Sequence, residues 1–254
     1  MSLQLSTATL VALLLASVRA AAWLVVCPPF SSRAIPGVVK GLLAVAIALP
    51  MVPGLTGQLP AATPGGLLVS GIEQVVVGAA LGFLTSVLFA AVQAAGDLID
   101  LFGGFSVAFA FDPLSFTGNS VFGRFYNVLA TTLLFVTNAH ELVLRGFLQS
   151  YRTLPLDQSL SLAALDRALT TGIGQLFLSA LMIAGPLIGV LFCADVGLGL
   201  LSRVAPALNA FSLGFPAKIL LTLSLAGLGL LILPGSVSGL VEQAVRAVVG
   251  VAGS

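Results

Sequence analysis

The chain has 254 residues, 58% of them hydrophobic and only 7% charged, with a mean hydropathy of +1.15. A water-soluble domain carries roughly a quarter charged residues, so this composition excludes one and points to lipid. The net charge of +1 leaves nucleic acid no plausible partner, and two cysteines (Cys27, Cys193) and a single histidine (His140), far apart in sequence, give no metal-ligand spacing.

The length suits about six helices crossing a bilayer, at about 20 apolar residues each, with no room for a separate soluble domain. A single all-helical membrane domain over residues 1–254 is therefore expected. The first apolar run, residues 10–30, is interrupted by Arg19 and stops at Cys27-Pro28-Pro29, because proline lacks the amide donor. No Lys or Arg precedes that run, so it reads as a retained helix rather than a signal peptide. A basic linker, 31–40, leads into a second run, 38–49, that meets Pro50 and Pro53. At 1.5 Å per residue it spans roughly 18 Å, short of a hydrocarbon core of about 30 Å.

Residues 67–95 form the clearest full span, with Glu73 near its start and Gly78 and Gly82 at a spacing that lets helix backbones approach closely. Further apolar runs cover 128–136, 168–201 (containing Gly185, Pro186, Gly189 and Asp195) and 219–233, which ends at Pro234. The basic stretches 33–40 and 145–167 should both face the cytoplasm. Three simple crossings between them would put them on opposite sides, so some segment is expected to be re-entrant or doubled. Irregular backbone at membrane depth is tolerated only where protein or a water-filled cavity covers it.

The most unusual stretch is 97–125. Seven phenylalanines, at 102, 105, 109, 111, 116, 122 and 125, alternate with small residues such as Gly103, Gly104 and Ser106. Asp112-Pro113 is a turn signal, as is Thr117-Gly118-Asn119-Ser120. Bulky apolar side chains on a Gly/Ser-rich loop can close a wet lumen by dewetting; an interfacial loop resting at the membrane surface is the other reading. Ionisable residues inside apolar runs mark interfaces or water-filled paths. Asp195 and Arg203 share a helix face two turns apart but are too far apart to pair directly. Each is expected to meet another helix or subunit, with Glu73, Asp97 and Asp100 as possible acidic partners. Buried carboxylates also suit a proton relay, so a stand-alone ion-coupled transporter using Asp195 and Glu73 stands as the alternative. No zinc-protease, nucleophile-elbow or Walker motif is present, and an enzyme is not expected.

The residues then show a family resemblance. Ser32-Arg33-Ala-Ile-Pro36 with Lys40, Glu73 with 78–83, Ala95-Gly96-Asp97, Phe111-Asp112-Pro113, Asn138-Ala-His140 and above all the block from Leu198 through Arg203, Pro206, Asn209 and Gly214-Phe-Pro216-Ala-Lys218 resemble the FliR family of flagellar type III secretion export-gate proteins. The injectisome counterpart shares the fold, and the Gly214-Phe-Pro216-Ala-Lys218 wording is closer to the flagellar form. The resemblance implies bent helical hairpins, like a fusion of FliP-like and FliQ-like folds, within a helical hetero-oligomer at the inner-membrane part of the flagellar basal body. It implies FliP-like and FliQ-like partners, FlhB- and FlhA-like export components, contact with membrane lipid, unfolded protein substrates and no cofactor. It also implies that the segment matching 104–122 is a pore plug, with Gly104, Phe105, Phe109, Phe111, Asp112, Pro113 and Phe116 as its residues. Glu73, Asp97, Asp195, Arg203 and Lys218 become interhelix or intersubunit charges.

Overall fold

The computed structural model describes residues 6–60, 63–105, 120–158, 162–205 and 210–252, and all regular structure among them is helical. Helix α1 (Thr7–Val26) starts at Ser6, whose hydroxyl accepts a 3.2 Å hydrogen bond from the Thr9 amide. That satisfies one of the donors left open at a helix start. Helix α2 (Gly37–Ala48) continues through a 3-10 turn, Leu49–Met51, into the short α3 (Val52–Leu55). The helical stretch Gly37–Leu55, 19 residues, is long and apolar enough to cross a membrane. Pro50 and Pro53 thus do not end the run as expected. Each falls in the first two positions of a new turn, where the missing amide has no intrahelical partner to lose.

Helix α4 (Pro64–Gly103) has 40 residues and carries Asp97 and Asp100 within its last turns. Helix α5 (Val121–Val136) is capped by Ser120, whose Oγ accepts from the Gly123 amide at 2.7 Å. Asn138, at φ 56°, breaks the chain between α5 and α6 (Ala139–Thr153). Asparagine is among the few residues that enter the left-handed region readily. Helices α7 (Leu162–Val204) and α8 (Ala210–Ala252) have 43 residues each. Pro186 lies inside α7, and Pro216 and Pro234 inside α8, so Pro234 does not end its run as expected, whereas the polar stretch 145–167 does hold the break between α6 and α7. Arg145 belongs to α6 and Arg167 to α7. Among the described residues, four helices are long and apolar enough to cross a membrane, or up to six spans if each of two bent pairs counts as one.

The chain divides into two compact units. The first comprises Met1–Leu88, Asn138–Ile173 and Leu240–Ser254. In it α4 lies directly on α1: a Cβ on Gly78 would overlap the carbonyl oxygen of Arg19, and one on Gly82 would stand 3.0 Å from the carbonyl oxygen of Trp23. The expected close approach at these two glycines is present, and the partner is α1. Trp23 stacks on Phe147 of α6, ring centroids 4.4 Å apart. The second unit comprises Phe89–Thr137 and Gly174–Gly239. In it the end of α4 and the start of α5 form a helical hairpin, with α4 seated on α8 through Gly103 and the buried Thr222.

Candidate functional site

The second unit holds the base of the Phe-rich segment. Asp100 is 3% exposed, and its Oδ2 accepts hydrogen bonds from the Ser120 hydroxyl and, at 2.9 Å, from the Phe122 amide. The carboxylate therefore sits on the N-terminus of α5, where open amides and the helix dipole favour negative charge. Gly96 lies against the Phe122 backbone so closely that a Cβ would come within 2.5 Å of it, and Gly123 lies against the Asp97 carboxylate. At Gly96, where the neighbour is backbone, only glycine fits. Two turns of α4 are thus bolted to the first turn of α5, one on each side of residues 106–119.

Gly104 has φ +85°, a conformation that glycine adopts without strain, and faces the Phe215 ring. The Phe105 ring meets Phe122 edge-on at 5.3 Å, and Phe122 meets Tyr126 at 6.5 Å. Of the expected plug residues, Gly104 and Phe105 stand at this base. Phe109, Phe111, Asp112, Pro113 and Phe116 lie outside the described residues.

Of the expected interface charges, Asp195 of α7 and Lys218 of α8 pair directly, with Nζ 2.8 Å from Oδ1 and 3.0 Å from Oδ2. Lys218 is largely covered, at 14% side-chain exposure, while Asp195 remains 45% exposed. Arg203 is exposed and has no ion-pair partner among the described residues. Asp97 is exposed above Gly123, and Glu73 is half-buried on α4 in the first unit. Asp100, considered from sequence as a partner for a basic residue, instead serves the amide and hydroxyl at the start of α5.

The first unit holds a polar cluster that the sequence reading left without a role. Arg19 is fully buried. Its Nε donates to Gln74 Oε1 at 2.7 Å, and its Nη1 to the carbonyls of Ser150 and Leu154 at 3.2 and 2.9 Å. Those two carbonyls belong to the end of α6, where a helix needs external donors. The guanidinium lies 4.7 Å from the centre of the Tyr151 ring, whose hydroxyl donates to the Ala16 carbonyl at 2.7 Å. One arginine thereby joins α1, α4 and α6. The signal was legible: an arginine in mid-run is costly unless fully served.

With this geometry in view, comparison with known proteins decides the family. The family model described as bacterial export proteins, family 1, matches residues 10–244. The chain belongs to the FliR family of bacterial export proteins. The flagellar biosynthetic protein FliR of Pectobacterium carotovorum subsp. carotovorum is 36% identical over 219 residues, 85% of this chain and 82% of that protein. The FliR of Escherichia coli K12 is 34% identical over 208 residues, 82% and 79% of the two chains. The surface presentation of antigens protein SpaR of Shigella sonnei is 29% identical over 151 residues, 59% and 58%. FliR family membership and apolar helices of spanning length together make this a membrane protein of the bacterial export apparatus.

Proposed function

We propose that the chain is a subunit of the flagellar type III export gate. It joins FliP-like and FliQ-like chains around a pore for unfolded flagellar substrates, and the Phe-rich segment closes that pore at rest. The observation that carries this reading is the match to flagellar relatives: the FliR proteins of Pectobacterium carotovorum and Escherichia coli are 36% and 34% identical over more than four-fifths of the chain, whereas SpaR is 29% identical over about three-fifths. The hairpin base supports the gating part. Asp100, Ser120 and the glycines at 96 and 123 fix both ends of the segment. FlhB-like and FlhA-like components would deliver substrate and energy. The ion pair between Asp195 and Lys218 favours a helix-fastening role for Asp195 over that of an ion-coupling carboxylate in a stand-alone transporter.

The test is mass-spectrometric identification of the chains that co-purify with a tagged copy from native membranes in mild detergent. Recovery of FliP-like and FliQ-like chains in excess over this one is the expected result. Recovery of this chain alone, or only with a second copy of itself, would overturn the proposal.

A further inference from the structure

In the first unit, helix α4 presents an apolar stripe with one charge inside it. Val69, Ile72 and Val76 are 56%, 58% and 44% exposed. Glu73 stands among them, about one turn from Val69 and from Val76 on the same helix face. Its carboxylate has no hydrogen-bond or ion-pair partner among the described residues. Arg19 bonds the neighbouring Gln74 and two α6 carbonyls instead. Two turns beyond Glu73, roughly 10 Å at 1.5 Å per residue, the stripe runs into an open apolar groove of about 380 Å³. Val26 of α1, Ala80 and Phe83 of α4, and Leu165 and Leu169 of α7 line it, all within the first unit.

Neither water nor lipid suits this face. Water disfavours a continuous exposed apolar stripe, and lipid disfavours a carboxylate without a partner. A second protein surface satisfies both conditions, provided that it brings a cation. We infer that this face of α4 seats an apolar helix of another chain, which sets a Lys or Arg against Glu73. About two turns from that cation, the same helix places a bulky apolar side chain in the groove. Ala79 and Ala80 keep the surface low there, which lets a second helix approach closely. The inference rests on the export-gate reading for the identity of the partner chain; the face itself requires only the stated chemistry.

The experiment is site-specific crosslinking in native membranes, with p-benzoylphenylalanine in place of Val76 and the joined peptides identified by mass spectrometry. The expected adduct lies on an apolar helix of another chain, with a Lys or Arg within about two turns of the joined residue. Glu73→Lys should reduce that adduct about tenfold, because like charges face to face oppose docking. Changing the partner's cation to Glu should then restore it. Glu73 has no partner within the chain, so the yield and detergent stability of purified Glu73→Lys should match wild type; a loss of either would show a structural role and overturn the inference. So would adducts with lipid alone, with a second copy of this chain, with a helix lacking a cation or with nothing, and so would an adduct that Glu73→Lys leaves intact. A FliP-like or FliQ-like partner supports the gate reading as well. Another chain that passes the charge-exchange test would keep this inference and count against that reading.

Discussion

At the level of single residues, Arg19 is the side chain on which most depends. It is fully buried and holds a side-chain amide and two helix-end carbonyls. Gln74→Leu removes the acceptor facing Nε while leaving the guanidinium buried, and an unserved buried donor costs about 1–3 kcal/mol. The variant should therefore unfold at a lower proportion of sodium dodecyl sulfate in a mixed-micelle titration. Arg19→Lys should be at least as damaging, because an ammonium cannot present the guanidinium fork to three acceptors at once. Asp100 makes a comparable claim in the other unit. Asp100→Ala leaves the Phe122 amide and Ser120→Ala the Gly123 amide short of an acceptor, and the double variant should lose more than either single but less than their sum, because the hydrogen bond between the two side chains is lost only once. That non-additivity, read in the same titration, is what a shared hydrogen bond requires; fully additive losses would show that the two side chains act separately. Arg19 and Asp100 were visible in the sequence as charges inside or beside an apolar run. Their partners were not: Arg19 bonds across 55 to 135 residues, and no local pattern encodes such a distance.

At the level of elements, apolar runs and small-residue spacing were readable, and helix ends were less so. Gly78 and Gly82 were expected to let helices approach, and they do, against α1. Proline misled the reading at Pro50, Pro53 and Pro234, because one missing amide does not end a helix when a new turn begins there or when neighbouring helices hold the chain. The two glycine pairs now predict different outcomes. Gly78→Ala would drive a methyl into the α1 backbone, and overpacking of this kind costs about 1–3 kcal/mol. Gly185→Ala and Gly189→Ala meet no atom within 4 Å among the described residues, and alanine is the better helix former by about 1 kcal/mol. In the purified chain the first substitution should lower stability and the other two should leave it unchanged or slightly raised. If Gly185→Ala nevertheless blocks recovery of the co-purifying subunits, a neighbouring helix is seated on that face of α7. Much of that face is apolar and open: Phe177, Leu181, Met182 and Phe192 are all more than half exposed.

At the level of the whole molecule, the proposed gate and the fold that carries it should be separable. The ends of the Phe-rich segment are already joined by Asp100 to Ser120 and Phe122, and by the Phe105 ring on Phe122. Replacing 106–119 by a short Gly/Ser linker therefore leaves every described contact of the hairpin base in place. The entropy of closing a loop changes only slowly with its length, by about 0.6 kcal/mol per doubling, so stability in the detergent titration should scarcely move. What the linker removes is the bulk of Phe109, Phe111 and Phe116, the rings suited to closing a lumen by dewetting. The assembled complex carrying this variant should then pass ions at rest in a planar bilayer, while the wild-type complex stays closed. A second variant sharpens the argument: exchanging only the three phenylalanines for serine keeps the length and should also leak. Equal resting conductance in all three complexes would show that the segment does not close the pore, and the hairpin base would then stand as a structural junction alone.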